Sequence, residues 1–124
     1  MAEYQEAFAA LRRVLAAHSP TLKVTADTPS EYSLYATKPS PFPQHKGKPL
    51  FVASVRTGKA YVSYHLLPLY MNNKLAFAIS PTLKKRMQGK ACFNFKAPPD
   101  AAVSQELSSL TATGIRMFEE KGWI

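Results

Sequence analysis

The chain has 124 residues, a hydrophobic share of 46% and a formal net charge of +8. This length suits one domain around one core, and the hydrophobic share argues against wholesale disorder. The longest apolar runs, such as "LAFAI" at 75–79, fall far short of the ~20 residues a membrane helix needs, and a single cysteine rules out an intramolecular disulfide framework.

Residues 3–18 spell an amphipathic helix, because Tyr4, Phe8, Leu11, Leu15 and His18 recur at spacings of four and three. Glu3 and Glu6 precede Arg12 and Arg13, the order the helix dipole prefers. Pro20 bars the residue before it from helical geometry, so the helix stops at "HSP", with His18 as a cap or dipole partner rather than a base. The opening "MAEYQEAFAALRR" places acids first and holds no long apolar block, so it does not read as a secretory signal. With one cysteine, the expected compartment is the cytoplasm.

Two alternating runs follow, "TLKVTA" at 21–26 and "EYSLYAT" at 31–37, separated by the turn-like "DTPS". "KPSPFPQHKGKP" at 38–49 holds four prolines and predicts a loop. "PLFVASVRTGKAYVSYHLLPLY" reads as a hairpin turning at "RTGK", with Gly58 expected to supply a positive φ. Ser80 and Pro81 form a good helix start and Gly89 a good stop, predicting about two helical turns over 81–88. "ACFNF" is a strand and "KAPPD" a turn. A closing helix over 100–121 is marked by Val103, Leu107, Leu110, Ile115 and Phe118, capped by Asp100 and ended by Gly122. Gly114 should weaken its middle by roughly 1 kcal/mol relative to Ala. The order is α-β-β-β-β-α-β-α. It predicts one α+β domain over 1–124, an antiparallel or mixed sheet of about five strands covered by the N- and C-terminal helices.

Three segments, "KAYVSYHLLPLY" (59–70), "LKKRMQGKACFNFK" (83–96) and "LTATGIRMFEEKGW" (110–123), carry a resemblance to the YdhG-like family of small bacterial domains of unknown function. The resemblance covers most of the chain and implies an α+β fold. It also raises the frataxin-like iron handling associated with part of that family. Iron delivery needs clustered hard oxygen ligands, and no Asp or Glu occurs between Tyr32 and Pro99, so iron is disfavoured.

That acid-free stretch carries eleven basic residues: Lys38, Lys46, Lys48, Arg56, Lys59, Lys74, Lys84, Lys85, Arg86, Lys90 and Lys96. Such one-signed charge favours anionic partners, a small molecule or an acidic protein surface. Strand parity places Ala91, Phe93 and Phe95 on a core face and Lys90, Cys92, Asn94 and Lys96 opposite; in the preceding strand Tyr61, Ser63 and His65 oppose Val62, Tyr64 and Leu66. The candidate ligand-binding set is therefore Lys59, Tyr61, Ser63, His65, Lys90, Cys92 and Asn94. Cys92 between two lysines suggests a thiol with lowered pKa, and His65 could assist it if their strands are neighbours. Nucleic acid is an alternative partner, with Phe42, Tyr61 and Tyr70 as stacking aromatics, although no RRM, KH, helix-turn-helix or zinc pattern is present. No metal-ligand spacing, GxSxG or phosphate-cradling glycine loop occurs, so no metal, cofactor or defined catalysis is expected.

Overall fold

The computed structural model describes residues 2–18, 22–71, 79–89 and 91–124. Helix α1 (Ala2–Ala16) is followed by strands β1 (Lys23–Thr28) and β2 (Glu31–Pro39), a short 3-10 turn (Pro43–His45), and strands β3 (Pro49–Thr57) and β4 (Val62–Leu66). Short helices α2 (Leu67–Met71) and α3 (Pro81–Lys84), strands β5 (Met87–Gln88) and β6 (Cys92–Phe95), and the long helix α4 (Ala101–Glu120) complete the described elements. The strands form one antiparallel sheet ordered β1-β2-β3-β4-β6-β5. The fold is α+β, as the element order implies, with six strands among the described residues, the fifth only two residues long.

One sheet face is the core. Tyr32 and Leu34 lie opposite Val55 and Ala53, and Tyr64 opposite Phe93, all buried. Helices α1 and α4 close over this face with Leu11, Leu15, Leu107 and Phe118, each essentially inaccessible. The Tyr64 hydroxyl meets Thr111 Oγ1 at 2.6 Å, joining sheet to helix inside the core. Both expected N-caps are present: Ser80 Oγ accepts from the Leu83 amide and Asp100 from the Val103 amide. The C-terminus of α4 is a Schellman motif, in which Gly122 (φ +75°) lets the Trp123 amide reach Phe118 O while the two rings pack 5.1 Å apart.

Four local expectations are corrected. The helix over 81–88 stops at Lys84, and Met87 and Gln88 pair with β6 instead. Leu83 and Met87 are four apart, so both fit one helical face; the free edge of β6 decides the matter by taking a strand partner. Gly89 (φ +75°) follows β5 at the β5–β6 turn and is not a helix cap. The strand expected to run through Tyr70 ends at Leu66, because Pro68 has no amide to donate to a ladder but fits the start of α2. Gly58 lacks a positive φ, and a four-residue turn, closed by the Gly58 amide on Tyr61 O at 2.8 Å, joins β3 to β4.

Candidate functional site

Strand alternation gives every core residue a neighbour on the opposite face of the sheet, and this second face is lined by strand side chains. Glu31 and Ser33 from β2, Ser54 and Arg56 from β3, Ser63 and His65 from β4, and Cys92 from β6 surround a cavity of about 410 Å³. Register brings them together: His65 lies directly across from Cys92 and Ser54, and Ser63 from Asn94 and Arg56. Of the expected residues, Ser63, His65, Cys92 and Asn94 share this face. Ser63 Oγ donates to Asn94 Oδ1 at 2.8 Å, and the Asn94 amide in turn donates to Gln88 Oε1.

Tyr61 lies at the end of the face, 40% exposed, in a smaller cavity of about 330 Å³ with Lys85, Arg86, Gln88, Asn94 and Lys96. The Lys96 ammonium stands 5.8 Å from the Tyr61 ring centre. Lys59 is exposed in the β3–β4 turn and lines neither cavity. Lys90 lies outside the described residues, as do Lys74 and most of "LAFAI". Phe42 is not available as an open stacking platform, since it packs edge-on against Trp123 at 5.1 Å; Tyr70 is 60% exposed.

Sequence reading missed the opposite wall of the face. Glu31 pairs across the ladder with Arg56, and its carboxylate lies 3.4 Å from the guanidinium. Ser33 Oγ donates to the same carboxylate at 2.7 Å. That bond, with the Arg56 charge, holds the Glu31 carboxyl below its usual range despite partial burial. The centre of the face is thus polar but nearly charge-balanced. The alternation of "EYSLYAT" carried the signal for Glu31, Ser33 and Tyr35, but only the strand register shows that Glu31 meets Arg56.

The electrostatics at Cys92 run against a reactive thiol. Burial pushes its thiol up, outweighing the bonds from Ser63 and the Phe93 backbone. This corrects the expectation of a lowered pKa. Burial likewise pulls His65 down, with Arg56 repulsion adding to it, so its imidazole is neutral at pH 7. His18 does not cap α1; its Nε2 meets Ser108 Oγ of α4 at 3.0 Å.

A larger cavity, about 730 Å³, opens beside this cluster at the β1 side of the sheet and shares Tyr35 and Phe51 with it. Its rim carries Lys23, Lys46 and Lys48, and its floor is mostly apolar. The chain matches no known family model, and no curated protein or solved structure is significantly similar to it. The site therefore stands on its own geometry. Among the described residues no group of three His, Cys, Asp or Glu is gathered to hold a metal ion, and no helix is long and apolar enough to cross a membrane.

Proposed function

We propose that the protein is a binding module for an anionic ligand, a small molecule or an acidic partner surface, seated on the second face of its sheet. The observation that carries this reading is the placement of charge. Lys23, Lys46 and Lys48 border the cavity at one end, Lys85, Arg86 and Lys96 the cavity at the other, and neither cavity has a carboxylate among its described lining residues. Between them lie serine hydroxyls and the neutral His65 imidazole, which can orient a ligand, together with a Glu31 carboxylate whose charge Arg56 offsets. Titration of the labelled protein with inorganic phosphate and citrate at low salt tests it. Amide shifts confined to this face, fading as salt is raised, are expected; shifts scattered over α1 and α4, or none, refute it.

A second reading, single-stranded nucleic acid, draws on exposed Tyr61 beside Lys96, Lys85 and Arg86, since basic groups interleaved with an open ring suit backbone and base together. A labelled oligonucleotide whose affinity falls steeply with salt and is lost in Tyr61→Ala would favour it. A thiol-dependent enzyme or redox function at Cys92 is opposed by the raised pKa of that thiol. We also propose kinship with the YdhG-like family, on the three segments named above, and a reducing compartment such as the cytoplasm, on the single cysteine.

A further inference from the structure

We infer that the cavity rimmed by Lys23, Lys46 and Lys48 takes a small aromatic acid, a planar apolar body bearing one anionic group. This rests on the reading of the sheet face as an anion-binding surface and narrows it to one end of that face. The cavity measures about 730 Å³, within the usual size of small-molecule sites. Tyr35 and Phe51 form its floor with their ring centres 5.3 Å apart at 71°, and Leu67 flanks them. Such an edge-to-face pair offers a further aromatic ring a matching surface.

At the rim stand three exposed ammonium groups, Lys23, Lys46 and Lys48, none of which pairs with a carboxylate among the described side chains. An inorganic anion would leave the apolar floor unused, and a neutral ring would leave the cations unused. A ring carrying a carboxylate satisfies both.

The loop presenting two of these cations is held in place before any ligand arrives. The Ser40 amide donates to Lys48 O at 2.9 Å across its neck, and Phe42 is anchored on Trp123. Lys46 adopts φ +51°, ψ +39°, a left-handed conformation that costs a residue with a side chain, and Gly47 follows at φ +83°. Glycine would suit position 46 better than lysine on conformational grounds alone. The chain instead carries a cation there, facing the cavity.

Calorimetry and amide shifts of the intact chain, with naphthoate, naphthalenemethanol and inorganic phosphate as probes, test the inference. Saturable naphthoate binding is expected to shift the Tyr35, Lys46 and Phe51 amides, with the neutral alcohol about tenfold weaker. Lys46→Gly should weaken naphthoate about tenfold while leaving the melting temperature unchanged or higher, because glycine accepts the positive φ. Lys48→Gln gives the same loss should Lys46→Gly misfold. Equal binding of acid and alcohol, or undiminished naphthoate affinity in the variants, overturns the inference. If phosphate shifts the face while naphthoate leaves Tyr35 and Phe51 unmoved, this narrowing fails and the broader reading stands. Silence from both anions removes both.

Discussion

Cys92 and His65 show how little a residue's sequence neighbours say about its charge state. Lysines flank Cys92 along the chain, yet among the described residues its thiol meets Ser63 and the walls of a half-buried cavity, and desolvation wins. Alkylation by iodoacetamide across pH should therefore give a thiolate midpoint above the ordinary value of about 8.5–9; a midpoint below it would contradict the burial seen here. His65 is the complementary case. Desolvation first, then Arg56, disfavour its protonated form, so the folded protein binds a proton less readily than the unfolded chain. Stability linked to this group is complete above the unfolded value of about 6.5 and is lost as pH falls from there toward the lower folded pKa. An imidazole titration followed by NMR should place its midpoint under 6.5, and Arg56→Gln should move it upward by removing the repulsion. Parity along "YVSYHLL" and "ACFNF" was enough to place both residues on the outer face. It could not reveal their pKa directions, which depend on what lies across the ladder.

At the scale of elements, Gly114 shows local propensity overruled by packing. A glycine inside a helix costs roughly 1 kcal/mol against alanine, which predicts that Gly114→Ala stabilises. A Cβ at this position would instead lie 2.6 Å from Pro68 Cβ and 2.8 Å from its Cγ, in the contact between α4 and α2. Pro68 is buried and sits on a ring that cannot rotate away. Overpacking of this kind costs about 1–3 kcal/mol, so Gly114→Ala should lower stability in chemical denaturation, and a stabilised variant would show that the two helices can separate cheaply. The same competition explains β5. Helix start signals at Ser80 and Pro81 are real and are used, but a helix continued through Gln88 would leave the β6 edge unpaired, and the Asn94 amide would lose its bond to Arg86 O at 2.8 Å.

For the whole molecule, a buried polar contact joins the sheet to its covering helices among many apolar ones. Thr111 Oγ1 donates to Leu107 O at 2.7 Å, which spends its only proton, so Tyr64 donates in the 2.6 Å bond between them. The full burial of Tyr64 also pushes its phenol well above its usual pKa. Thr111→Val strands that hydroxyl in the core and should cost about 1–3 kcal/mol, while the double variant with Tyr64→Phe should recover much of the loss. Equal losses in the single and double variants would mean that the bond contributes nothing beyond packing.

Sequence periodicity by itself determined the two long helices, the strand faces and both N-caps, because each depends on residues within a few positions of one another and on which side must be apolar. It also located the acid-free, cationic middle of the chain. The tertiary structure alone decided that Glu31, from outside that middle, neutralises Arg56 at the centre of the face, while Lys23 joins Lys46 and Lys48 around one cavity. The reason is physical: register brings residues twenty or more positions apart within a few ångströms, where their charges interact strongly, and neither composition nor period encodes that pairing.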